Sequence, residues 1–124
     1  MAKLKTLILM FVLLSTTTFC YSNWTNPQDN GDGTPIYIKQ SVGNNNNDRG
    51  ISARINGHNL SVSFTENIGD VDIEIENVEG IVIEYDYTET PSGYLCYIPL
   101  AGRYIVSFTL SNGDKYIGEF EVTD

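Results

Sequence analysis

Few residues in this chain have side chains suited to catalysis. His58 is the one histidine, and Cys20 and Cys96 are the two cysteines, among 124 residues. A nucleophilic cysteine needs a base beside it and a third group to orient that base. For Cys96 that base would have to be His58. His58 stands in the turn sequence Asn56-Gly57-His58-Asn59, where a solvent-exposed polar residue is expected. Cys96 alternates in phase with Tyr94 and Ile98, the pattern of a small buried apolar side chain. There is no glycine-rich phosphate loop, no serine-nucleophile motif and no His or Cys cluster with zinc spacing. The sequence therefore assigns no catalytic, cofactor-binding or metal-binding residue and no cofactor. It reads as non-enzymatic.

Carboxylates are the next candidates. Asp70, Asp72, Glu74 and Glu76 alternate with Val71, Ile73 and Ile75, so they project from one face of a strand. Glu84 and Asp86 are expected on the strand paired with it, facing the same stripe at a cost in repulsion. Carboxylates along a flat strand do not converge to the six to eight oxygens that calcium prefers, so the stripe reads as a solvated face. In the polar, turn-rich segment Asn23 to Gly33, Asn30, Asp32 and Gly33 have calcium-loop character. Counting from Gln28, however, places Lys39 where a bidentate Glu should close the loop. Eight tyrosines raise carbohydrate binding through exposed rings, but Tyr85, Tyr104 and Tyr116 fall in phase with core positions.

The elements that must hold these residues begin with Met1 to Ser22, which reads as an export signal. Lys3 and Lys5 form a basic start, Leu7 to Leu14 an unbroken apolar run, and a hydroxyl-rich segment follows. The run is too short to span a bilayer, so no transmembrane segment is expected in the mature chain. Cleavage is expected between Ser22 and Asn23. Cys20 would leave with the signal, making Cys96 the single mature cysteine with no intrachain disulfide. The competing reading is a lipid anchor on Cys20. It is disfavoured because bulky Phe19 stands where lipoprotein processing wants a small residue. The formal charge is −9, and loss of the two lysines leaves five basic residues against sixteen acidic, about −11. Nucleic acid is excluded as a partner, and anionic membrane surfaces fit poorly, because both are bound through clustered Lys and Arg.

Residues 23–50 read as a polar lead-in, with a possible first strand at Pro35 to Ile38 and a low-complexity loop at Asn44 to Asn47. Residues 51–124 alternate throughout. Ile51 to Ile55 and Leu60 to Phe64 form one hairpin. Val71 to Ile75 and Ile81 to Tyr87 follow, with Ile81, Ile83, Tyr85 and Tyr87 read on one face. Tyr94 to Ile98 leads to the final hairpin, Tyr104 to Val122, which turns at Asn112-Gly113 with type I′ chemistry. No window has helical periodicity, so the fold class is all-β, a sandwich or small barrel.

Gly102-Arg103-Tyr104 resembles the Gly-x-Tyr start of the penultimate strand in immunoglobulin-like sandwiches, where the tyrosine hydroxyl bonds nearby backbone. Val106 stands where an antibody-type domain has its cysteine, and the one Trp, Trp24, is in the lead-in. From Ile51 to Val122 the chain resembles a family of small exported proteins of unknown function from gut anaerobic bacteria. The resemblance is carried by Asn59 to Phe64, Val71 to Ile75, Gly80-Ile81-Val82, and Gly102-x-Tyr104 through Gly118-x-Phe120. It implies a seven-stranded antiparallel immunoglobulin-like β-sandwich after a signal peptide, and no activity. The final hairpin is also similar to the C-terminal sorting domains of a bacterial secretion system, which follow a large cargo domain; this chain has no room for one.

The functional expectation is a non-catalytic binding or adhesion module, exported to the periplasm, cell surface or medium, with a protein or glycan partner at the envelope. The loops Gly43 to Gly50, Thr65 to Gly69 and Thr88 to Gly93 are its candidate contacts. The alternative is a structural or assembly subunit that pairs through a sheet edge.

Overall fold

The computed structural model describes residues 19–23, 33–43 and 49–124. Most of the expected signal and half of the polar lead-in, including Trp24 and Asn44 to Asn47, lie outside the described residues. Among the described residues, ten strands form two five-stranded antiparallel sheets. In chain order they are β1 (Phe19–Asn23), β2 (Thr34–Ile36), β3 (Ile38–Val42), β4 (Ile51–Asn56) and β5 (Asn59–Phe64). These are followed by β6 (Asp70–Asn77), β7 (Val82–Glu89), β8 (Gly93–Tyr97), β9 (Gly102–Leu110) and β10 (Lys115–Val122). One sheet has the order β1-β8-β5-β4-β2 and the other β3-β10-β9-β6-β7.

All seven strands expected after Ile51 are present. The total of seven is corrected to ten, because three further strands precede them. β2 and β3 come from one short run that changes sheet at Tyr37. Ile36 is buried under the first sheet and Ile38 under the second, while Tyr37 between them is 81% exposed. Gly118 on β10 makes room for this crossing. A Cβ there would sit 2.7 Å from both the Ile36 and Ile38 side chains, closer than real contacts allow.

The core lies between the sheets and follows the alternation. Leu60, Val62 and Phe64 of β5 face Val71, Ile73 and Ile75 of β6 and Val106, Phe108 and Leu110 of β9, all buried. Phe64 and Phe108 meet edge to face, with ring centres 6.4 Å apart. Each such side chain contributes roughly 1.5–3 kcal/mol by leaving water, which is what holds the two sheets together.

Two turns were read from their residues. Gly57 takes φ +60° in a two-residue loop between β4 and β5, the glycine-first form of a hairpin turn. The β9–β10 turn is wider than the expected type I′. Gly113 alone takes positive φ, +93°, and Asn112 instead accepts the Asp114 N–H on its side chain at 2.9 Å.

Tyr104 occupies the corner position as expected. It is buried, it stacks on Phe120, and its hydroxyl donates to the Leu100 carbonyl at 2.7 Å.

Candidate functional site

The nucleophile–base pair considered for Cys96 and His58 does not exist. Cys96 is bonded to Cys20 in a disulfide, which corrects the expectation of a lone thiol. The cause is register. β1 pairs with β8 along its whole length, with Cys20 directly opposite Cys96. Sequence position hid this, because the two cysteines are 76 residues apart and one lies in the expected signal.

His58 is less exposed than its turn position suggested, with its side chain at 19%. Nδ1 lies 2.7 Å from the Ile98 carbonyl and Nε2 lies 2.5 Å from Asp124 Oδ1. Two acceptors suit a doubly protonated ring, so the Ile98 hydrogen bond and then the Asp124 carboxylate raise the imidazole above its ordinary value. The ring ties the β4–β5 turn to the start of the β8–β9 connection and to Asp124 beyond β10.

The acidic stripe is present on β6, but its surroundings differ from expectation. Glu74 lies opposite Tyr85 and Asp72 opposite Tyr87, so Glu84 and Asp86 do not face the stripe. A bulge explains this. Ile75 pairs with Glu84 and Glu76 with Val82, leaving Ile83 as an extra residue that packs against the core. One inserted residue exchanges the two faces of the strand beyond it. Tyr85 and Tyr87 are therefore exposed, at 65% and 56%, and not in the core as Tyr85 was expected to be. Tyr116 and Tyr104 are buried as read. Among the described residues no group of three or more His, Cys, Asp or Glu is placed to hold a metal.

Glu84 and Asp86 turn instead toward the inner side of β7. Burial, and then the Asp86 charge, raise the Glu84 carboxyl above its ordinary value. Asp86 Oδ1 accepts the Tyr87 backbone N–H at 2.8 Å, and the Tyr87 carbonyl accepts the Ser22 hydroxyl at 3.2 Å. Opposite them, Tyr94 of β8 is fully buried, and its hydroxyl has no hydrogen-bond partner among the described residues. Burial, followed by the Asp86 and Glu84 charges, pushes that phenol far above its ordinary value.

The candidate loops meet at one end of the sandwich. The Thr65 N–H donates to the Gly50 carbonyl at 3.0 Å, and Arg49 lies 3.7 Å from Glu66. The third loop is shorter than expected, since Thr88 and Gly93 belong to strands. Its Thr90 accepts the Ile68 N–H at 2.8 Å and donates to the Gly69 carbonyl at 2.7 Å. The Asn67 carboxamide accepts the Gly69 N–H at 3.0 Å. These polar groups are spent on fastening loop to loop. Beside them, a shallow cleft of about 420 Å³ opens between β1 and β7, lined by Ser22, Asp86, Tyr87, Thr88, Glu89 and Ser92.

No protein-family model matches the chain, and no curated protein does. A solved structure is similar to it: a duf3244 family protein with an immunoglobulin-like beta-sandwich fold from Bacteroides vulgatus. The match has TM-score 0.58 and 16% identity, and covers 71% of this chain and 96% of that one. At this identity the likeness establishes the fold. The chain is an all-β, immunoglobulin-like sandwich of two antiparallel sheets. The immunoglobulin-like sandwich implied by the family resemblance read from its motifs is the fold shared with this Bacteroides vulgatus structure.

Proposed function

We propose that the domain is an exported, non-catalytic recognition module that binds a glycan on the outer face of β6 and β7. The observation that carries this is the pair Tyr85 and Tyr87, exposed side by side and set against the carboxylates of Glu74 and Asp72. Large rings left in water stabilise nothing within the sandwich, whereas the polar loop groups already serve its internal bonding.

The chemistry suits a sugar. Rings two residues apart on a strand stand about 7 Å from one another. Each offers a flat apolar surface to the C–H face of a pyranose, and the neighbouring carboxylates accept its hydroxyls. A protein partner fits less well, because interface cores are depleted of charge and this face also carries Asp70, Glu76 and Glu89. Export is supported by the disulfide, which persists in oxidising compartments.

The test is a glycan array probed with the purified domain, followed by calorimetry on the hits. Tyr85→Ala or Tyr87→Ala should weaken binding by about 1–2 kcal/mol, on the order of tenfold, with an unchanged melting temperature. If binding survives both changes but is lost on Asn67→Ala or on deletion of 44–47, recognition lies in the loops and the proposal fails.

A further inference from the structure

The position of β1 bears on how the chain is processed. Five consecutive residues pair with β8, from Phe19 against Tyr97 to Asn23 against Gly93. Cys20 packs against the core, and the Ser22 hydroxyl reaches across the open side of the sandwich to the Tyr87 carbonyl of the other sheet. A cut between Ser22 and Asn23 would remove four of these five residues. It would leave the β8 edge unpaired, and it would strip cover from Cys96 and Tyr94, which are buried in the intact sandwich. A lipid anchor on Cys20 would be equally incompatible, since its thioether consumes the sulfur that bonds Cys96.

We infer that β1 is retained in the mature domain. The leader is cut N-terminal to Phe19, and the Cys20–Cys96 disulfide is a maturation step that locks β1 onto the β8 edge. The sequence before β1 permits such a cut. Ser15, Thr16, Thr17 and Thr18 follow the apolar run directly, and processing asks for small residues at the last and third-last positions of the leader. A cut after Thr17 places Ser15 third-last, and a cut after Thr18 places Thr16 there.

The bridge forms by thiol–disulfide exchange with a disulfide-donating oxidoreductase of the export compartment. One cysteine thiolate attacks the donor disulfide to give a mixed disulfide. The second thiolate then displaces the donor, which departs as a dithiol carrying the two electrons. Both cysteine protons are released, and they balance those the donor takes up. With β1 in place the β8 edge has its neighbour, so strand capture by this edge is closed.

This inference shares with the proposed function the premise of export but none of its ligand chemistry, so the two fail separately. The test expresses the full precursor with its own leader in a bacterium and traps free thiols with a maleimide before lysis. N-terminal sequencing and intact mass are then read on the mature protein. The expected product begins at Thr18 or Phe19, takes no maleimide, and takes two after reduction. A product beginning at Asn23, an acylated Cys20, or two thiols labelled without reduction would overturn it. Cys20→Ser and Cys96→Ser should each lower the melting temperature by as much as reduction lowers that of the wild type. A melting temperature indifferent to reduction counts against the clamp. If either variant fails to fold, the wild-type mass still decides.

Discussion

β8 and β7 border the same side of the sandwich, one in each sheet, yet among the described residues only β8 has a strand beyond it. Both face the same hazard, since an unpaired strand edge is a template for other chains. β8 has alternating apolar residues facing inward, with Tyr94 and Cys96 buried, and it is covered by β1 and sealed by a disulfide. β7 remains open and is protected by its own residues. Its inner side carries Glu84 and Asp86, a bulge twists it at Ile83, and Asp86 occupies the Tyr87 N–H. The opposite side of the sandwich repeats the lesson in milder form. β2 has three residues including Pro35, and β3 carries Lys39. The apolar inner face of β8 is covered by β1, whereas β7 stays open with charge on its inner face, and β2 and β3 stay open as short strands that bury Ile36 and Ile38.

The largest effect should come from undoing the covered edge. Cys20→Ser with Cys96→Ser should cost about 2–5 kcal/mol in a denaturant titration, because the bridge restricts a long loop in the unfolded chain. Equal midpoints with and without reductant would mean that the bridge contributes nothing to stability.

The open edge can be broken by removing its charges. Glu84→Val together with Asp86→Val should turn a monomer into concentration-dependent oligomers, followed by light scattering. If the variant remains monomeric, the inner-face acids are not what keeps β7 unpaired.

Two buried tyrosines sharpen the contrast between the mouth and the far end. Tyr104→Phe should cost roughly 0.5–1.5 kcal/mol, because it removes the hydrogen bond from the hydroxyl to the Leu100 carbonyl. Tyr94→Phe removes a hydroxyl that bonds nothing, so thermal denaturation should show no loss and a slight gain. A substantial loss would place an unseen partner, such as a water shared with Glu84 or Asp86, in the mouth.

The smallest effects are those of pH. Glu84 holds its proton more tightly folded than unfolded, so it costs no stability below the unfolded value of 4.5 and an increasing amount as pH rises through the folded value. Glu84→Gln should therefore melt slightly higher than wild type at pH 7, with the gap closing at pH 4. His58 acts in a higher window. Its stabilisation is complete below 6.5 and fades as pH rises through the raised folded value. Asp124→Asn should reduce the slope of the melting curve against pH above 6.5, the Ile98 hydrogen bond remaining, and leave the Glu84 window untouched.

The all-β class, the seven strands after Ile51, the corner role of Tyr104 and the burial of Tyr116 were legible in the sequence, because each depends on period-two alternation or on residues close together in the chain. What escaped it depends on register between distant strands. No local signal brings Cys20 to Cys96, so the disulfide was visible only once β1 lay beside β8. The facing of Tyr85 was missed for the same physical reason. Alternation through Ile81, Ile83 and Tyr85 is unbroken in the sequence, and only pairing with β6 makes Ile83 the extra residue that turns Tyr85 and Tyr87 outward. His58 likewise looks like an exposed turn residue until packing brings the Ile98 carbonyl and Asp124 to its two nitrogens. Alternation determined which residues share a face; tertiary pairing decided which face is buried wherever a strand shifts by one, since a single residue of slip reverses every side chain beyond it.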